Sequence, residues 1–295
     1  MYVQGYRLIE DKAELRFGSM FHDGREELWR SGSLDAAIVA AAAGAADEYE
    51  AAKVRVLLTG YAARWGDGPP EDFVDAEVEF RASLINPETG AASRTFVLGG
   101  KIDALMLRRF NELKTTSEDI GPGSIYWRRL TLDPQVSTYY AGAKALGHEV
   151  DSCEYDVVRK PALRPLKATP GESRKYTKDG RLYAAQRDQD ETPAEYEARL
   201  TEEVATNPDK YYQRGEVVRL EADEREAQQD AWQLTRAMRE DELAGRRPRN
   251  ADACARYGRV CPYFDVCCGT ASLEDATRFE LVDNVHQELS ANAAE

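Results

Sequence analysis

Gly99-Gly100-Lys101-Ile102-Asp103-Ala104-Leu105, followed by Asn111-Glu112-Leu113-Lys114-Thr115, is the stretch whose reading decides the fold. Asp103 stands in an apolar strand. Glu112 and Lys114 are two positions apart on the next strand, so they share a face while Leu113 points the other way, into the core. If the two strands pair, Asp103 and Glu112 converge on one point. Two hard carboxylates at one point suit Mg²⁺ or Mn²⁺ and leave coordination positions open for water and substrate oxygens. An ion held there acidifies its water and neutralises developing negative charge, and the Lys114 ammonium beside it can hold that water or an anionic substrate group. Taken alone, Asp-x8-Glu-x-Lys is common by chance on exposed strands, so its weight depends on the surrounding sequence.

Upstream, Val74, Ala76, Val78, Phe80, Ala82 and Leu84 alternate with mostly polar residues, the period of a half-buried strand. Asn86-Pro87-Glu88-Thr89-Gly90 is a turn. Strands are expected over about 95–107 and 110–115. Downstream, Asp133 and Pro134 are an N-cap and first-turn proline, and Gly147 closes that helix. Residues 149–158 read as another strand. Strand, turn, strand, strand, helix, strand is a mixed sheet with a crossover helix, an α/β (α+β) fold. Gln135 and Tyr139 are four apart on the crossover helix and share one face.

The outer regions read as one domain with helical segments on both sides of the sheet. Residues 12–70 carry helical periodicity, with a break near Gly44. Residues 161–190 form a long polar loop, and 191–250 are read as helical. Residues 251–270 hold a cysteine cluster, and 271–295 a helical tail. Glu77 reads as an exposed strand residue with a supporting role at the site as the lesser alternative; His148 and His286 read as structural.

The chain has 295 residues and a net charge of −14, which opposes a nucleic-acid partner unless basic residues are gathered locally. Such a gathering exists: residues 159–187 hold nine Lys/Arg against two Asp/Glu, whereas 188–242 hold seven against seventeen. Screening limits a charge's reach to roughly 10 Å, so a basic track on an acidic body can still follow a phosphate backbone. Arg174, Lys175 and Lys178 are its candidate contacts, the alternative being an ordinary solvated loop. No segment is long and apolar enough for a membrane span, and no secretory signal opens the chain, so the expected compartment is the cytoplasm.

Several motifs stand in one order along the chain: Phe17-Gly18-Ser19-Met20-Phe21-His22, Gly100-Lys101-Ile102-Asp103, Glu112-Leu113-Lys114-Thr115-Thr116, Gln135-Val136-Ser137-Thr138-Tyr139, and Cys254 with Cys261-Pro262-Tyr263 and Cys267. In this order the sequence resembles the RecB-like branch of the PD-(D/E)XK nucleases, which includes phage exonucleases. The resemblance implies a restriction-endonuclease-like mixed sheet flanked by helices. It also implies cleavage of DNA, most simply as an exonuclease in end processing, recombination, repair or phage replication, with DNA and a recombination or helicase protein as partners. It makes His22 a metal ligand beside Asp103 and Glu112, and adds the Leu113 backbone carbonyl. It gives Gln135 and Tyr139 a place near the reacting phosphate. The alternative is a DNA-binding accessory protein of the same fold that does not cut, and a third reading is a cysteine-cluster scaffold.

The resemblance also implies a 4Fe-4S cluster on Cys254, Cys261 and Cys267, with a fourth cysteine ahead of the first helix. No cysteine precedes Cys153 in this sequence. The alternatives are an upstream ligand, ligation by Cys268, or no cluster with the thiols simply packed. Adjacent Cys267 and Cys268 have diverging side chains, which favours the upstream ligand. Thiolates suit iron–sulfur clusters and zinc alike.

Overall fold

The computed structural model describes residues 5–9, 13–256, 259–283, 285, 286 and 289. Helices α1 (Ala13–Ser31), α2 (Leu34–Ala42) and α3 (Glu48–Trp65) open the chain after a short strand β1 (Tyr6–Leu8). Ser33 and Asp47 cap α2 and α3 by accepting from Ala36 N and Glu50 N, which separates the alanine-rich stretch into two helices. The helices are drawn together by apolar stripes. Phe17, Met20, Phe21 and Leu28 of α1 join Leu57, Leu58 and Tyr61 of α3 in one buried cluster. Each large side chain fully buried there contributes about 1.5–3 kcal/mol. Gly24 permits the closeness, because a Cβ there would lie 2.9 Å from Ala41 Cβ and closer still to Leu58.

The central sheet runs β2 (Phe73–Ile85), β3 (Ala92–Met106), β4 (Arg109–Thr116), β5 (Ser152–Arg159) and β6 (Tyr212–Val217), in that spatial order. Pairs are antiparallel except β4 with β5, which is parallel. The parallel pair requires a crossover, supplied by α4 (Ile125–Arg129) and α5 (Pro134–Ala145). As the sequence predicts, Asp133 caps α5 by accepting from Gln135 N, with Pro134 in the first turn. Strand alternation divides the core. Leu113 and Val158 face the α1–α3 cluster, whereas Phe110, Tyr155 and Val157 face α4 and α5. The mixed α/β architecture expected from the central motifs is the one observed.

Two outer regions differ from expectation. Residues 191–250 are helical in α6 (Pro193–Thr206), α7 (Pro208–Tyr211) and α8 (Glu221–Ala244), but β6 lies between them as the fifth strand. Its interior, Gln213-Arg214-Gly215-Glu216, has no apolar alternation. It is held instead by its ladder to β5 and by the cross-strand pair in which Arg214 Nε donates to Asp156 Oδ2 at 3.0 Å. The expected C-terminal helix is also replaced. Residues Phe279–Leu281 form a strand, β9, paired antiparallel with β1. Buried Phe279 stacks on Tyr263 with ring centroids 5.4 Å apart, and Arg7 pairs with Glu280. Tertiary contacts, not local propensity, decide that segment. The remainder of the tail, residues 284, 287, 288 and 290–295, lies outside the described residues.

The cysteine segment folds as a hairpin of β7 (Ala255–Arg256) and β8 (Arg259–Val260) followed by α9 (Phe264–Cys268). Among the described residues no helix is long and apolar enough to cross a membrane.

Candidate metal centre

The register of the sheet sets Glu77, Asp103, Glu112 and Tyr155 in one row across β2, β3, β4 and β5. Ala76 pairs with Ala104 and Val78 with Ile102, so Glu77 stands opposite Asp103. Ala104 pairs with Asn111 and Glu112 with Tyr155, which extends the row. The β3–β4 ladder stops at Ala104–Asn111, and one residue beyond it the strands separate. Leu113 N–H, freed from the ladder, donates to Asp103 Oδ2 at 2.7 Å. The split in the sheet therefore fixes the Asp103 carboxylate and opens a gap beside Glu112.

His22 reaches this gap from α1, with Nδ1 3.7 Å from Asp103 Oδ1. Burial lowers its pKa, so the ring is neutral and able to ligate near pH 7. One donor atom from each of His22, Glu77 and Asp103 lies within 4.8 Å of the others. Glu77 adopts φ +56°, a left-handed conformation that costs a non-glycine residue of order 1–3 kcal/mol. Its supporting alternative is thus nearer the structure than the exposed-strand reading. Glu77 is partly buried, in ion contact with Lys101 Nζ at 2.6 Å, and shares its pocket with Asp103.

Glu112 is almost wholly buried and pairs with Lys114 Nζ through Oε1, while Oε2 has no hydrogen-bond partner among the described residues. Burial and the Asp103 charge push its pKa up to about 8. Glu112 lies outside the group formed by His22, Glu77 and Asp103, but its orphaned oxygen beside the Asp103 charge and the close carboxylates of Glu77 and Asp103 suit a positive charge there. A divalent cation fits this donor set of carboxylate oxygens and one imidazole nitrogen.

Gln135 and Tyr139 close the other side, as their helical spacing predicts. Gln135 Nε2 donates to Tyr139 Oη at 2.8 Å, and both line a pocket of about 500 Å³ with Glu77, Gly100, Lys101 and Asp103. Phe80 and Phe110 meet the Tyr139 ring edge-on at 5.6 and 6.0 Å, fixing it. Burial raises the Tyr139 pKa, so its hydroxyl stays protonated.

The remaining sequence candidates lie elsewhere. Arg174 braces the long loop by donating to the Thr169 and Asp188 carbonyls, each at 2.9 Å, so it has a structural task there. Lys175 and Lys178 are exposed. Cys254 and Cys261 are joined across the small hairpin, Cys261 N donating to Cys254 O at 2.8 Å, and exposed Cys267 and Cys268 follow in α9. Tyr263 Oη donates to Tyr6 O at 3.0 Å, which brings β1 against the cysteine segment.

Sequence reasoning did not assign Lys101 to the site, and it gave Glu77 a supporting role there only as the lesser alternative. The hairpin register could have found Glu77, but Ile85 pairs with Ala92 whereas Ser83 pairs with Val97. Continued from the turn without that shift, the ladder would set Glu77 opposite Gly100.

The family model of the PD-(D/E)XK nuclease superfamily matches residues 1–268. The central mixed sheet with flanking helices is of the restriction-endonuclease-like kind. No curated protein matches the chain.

Proposed function

The chain belongs to the PD-(D/E)XK nuclease superfamily, and from that premise we propose that it is a divalent-metal-dependent deoxyribonuclease of the RecB-like branch. The proposed activity is exonucleolytic hydrolysis of DNA in end processing, recombination, repair or phage replication, beside a recombination or helicase protein. The observation carrying this reading is the clustering of His22, Glu77 and Asp103 donors next to the orphaned oxygen of Glu112.

His22, Glu77, Asp103, Glu112 and the Leu113 carbonyl would hold Mg²⁺ or Mn²⁺. When bound, the ion supplies an acidified water and neutralises charge on the phosphate. Lys114 and Lys101 now pair with Glu112 and Glu77. With an ion in place, Lys114 would hold the attacking water or a phosphate oxygen, and Lys101 would meet the backbone. Tyr139, kept protonated by burial, and Gln135 donate hydrogen bonds to the phosphate or a neighbouring base. These preorganised donors act where charge develops.

By the family resemblance Cys254, Cys261 and Cys267 would hold a 4Fe-4S cluster, although among the described residues the donors close enough to share an ion are His22, Glu77 and Asp103. Anaerobically prepared protein should then be brown; colourless protein with stoichiometric zinc would replace the iron reading.

Digestion of end-labelled single- and double-stranded DNA with Mg²⁺ or Mn²⁺ tests the nuclease. Asp103→Ala and Lys114→Ala should each abolish cutting while DNA binding survives. Unchanged cutting by either variant refutes the site. Binding without cutting by the wild type supports the accessory-protein alternative.

A further inference from the structure

Arg25 of α1 is 1% exposed and is the largest fully buried side chain among the described residues. Its Nη1 donates to Asn111 Oδ1 at 2.8 Å, and its guanidinium lies over the Trp29 ring at 4.3 Å. Nε has no hydrogen-bond partner, and no carboxylate among the described residues is in ion contact with the group. Buried Arg219 is satisfied far more fully. It donates to the Ser137 hydroxyl at 2.9 Å and to the Leu130 and Asp133 carbonyls at 2.8 and 3.0 Å. A buried cation as thinly satisfied as Arg25 lowers stability relative to an apolar side chain of the same length. Helix α1 does not need it for anchorage, since Phe17, Met20, Phe21 and Leu28 already bury themselves against α3.

The acceptor of this hydrogen bond stands at the fork of the sheet. Asn111 pairs with Ala104 in the last rung that joins β4 to β3. Glu112 follows Asn111 and Asp103 precedes Ala104, so the first positions beyond the rung are the two carboxylates. Asn111 Nδ2 donates in turn to Glu154 Oε1 on β5 at 3.1 Å, which fixes the orientation of the amide. On the helix, His22 stands one turn before Arg25 and shares its face. One hydrogen bond therefore connects the helix that carries the imidazole to the rung beside the carboxylates.

We propose that the Arg25–Asn111 hydrogen bond sets His22 beside Asp103, which makes Arg25 a positioning residue of the metal centre. This rests on the metal-dependent reading of that centre. A hydrogen bond holds a narrow range of length and direction, whereas apolar contacts alone let a helix shift along a sheet. Metal ligands have to be held within about 0.5 Å of their working positions. Of the proposed side-chain ligands, His22 alone comes from outside the sheet, so the placement of α1 decides where its ring nitrogen lies.

The test is Mn²⁺ binding to the full chain by titration calorimetry, without DNA. Arg25→Met keeps the length of the side chain and removes the donor. It should weaken Mn²⁺ binding by about 10–100-fold, the usual effect of removing a group that orients a ligand, while the urea midpoint stays near that of the wild type. Arg25→Lys retains a donor and should recover part of the affinity. In a His22→Ala chain, Arg25→Met should cause no further loss, because Arg25 acts through His22. Unchanged affinity in Arg25→Met, or an equal loss in the His22→Ala background, overturns the proposal. So does an Arg25→Met chain that unfolds, since Arg25 would then hold the fold rather than the centre. Absence of Mn²⁺ binding by the wild type would sink the metal centre and this inference together; normal binding that is indifferent to Arg25→Met would sink the inference alone.

Discussion

Replacing Glu77 by glycine and by alanine separates its backbone role from its side-chain role. At φ +56° an L residue bears about 1–2 kcal/mol of left-handed strain. Glycine removes that strain and returns about 0.5–1 kcal/mol through its greater freedom in the unfolded chain. Both substitutions lose the partly exposed Lys101 pair, worth about 0–1 kcal/mol. Glu77→Gly should therefore be near wild type in stability, and Glu77→Ala less stable than Glu77→Gly by up to about 1 kcal/mol. Ordinary strand positions show the reverse order. In a chain of this size that gap is about 2 °C in Tm, readable by calorimetry without added metal. Wild type should then gain about 2.7 kcal/mol at a Mn²⁺ concentration a hundredfold above Kd, and both variants should lose most of this gain. Alanine outranking glycine would refute the strained backbone. An undiminished Mn²⁺ shift would refute Glu77 as a ligand.

The raised pKa of Glu112, about 8, makes cation binding expel a proton. Mn²⁺ affinity measured calorimetrically should rise with pH toward about 8 and level above it; without metal, the fold should lose stability as pH climbs through that value, because the ionised carboxylate is the disfavoured form. Arg219→Ala should cost about 2–4 kcal/mol in chemical denaturation, since it strips buried carbonyls of their donor, and Arg219→Lys should recover part of it. Lys175→Ala with Lys178→Ala should weaken DNA binding and lower the slope of log affinity against log salt by about 2, whereas Arg174→Ala should act by loosening its loop, seen as faster proteolysis there.

The grouping of the candidate centre was legible in part because most of its residues are close in sequence. Asp103, Glu112 and Lys114 declare their strands by alternation, and Gln135 and Tyr139 share a face by helical spacing. Glu77 was hidden by the register shift between Ser83 and Ile85, which no residue pattern announces. Strand β6 was hidden because Arg214 and Glu216 are polar, and its place depends on partners far along the chain, Asp156 foremost. Strand β9 likewise exists through β1 and Tyr263 rather than through its own composition.

Helix α8 spans Glu221–Ala244, yet none of its side chains is fully buried. Its first turn is fastened by Leu220 N donating to Asp223 Oδ2 at 2.9 Å, and its end by Gly245 in the left-handed conformation. Its near end touches α5 and β2. Amide protons in its distal turns should consequently exchange with deuterium through opening that leaves the rest of the protein intact, long before those of β4 and β5. A reporter attached there would sense local breathing without disturbing the candidate metal centre.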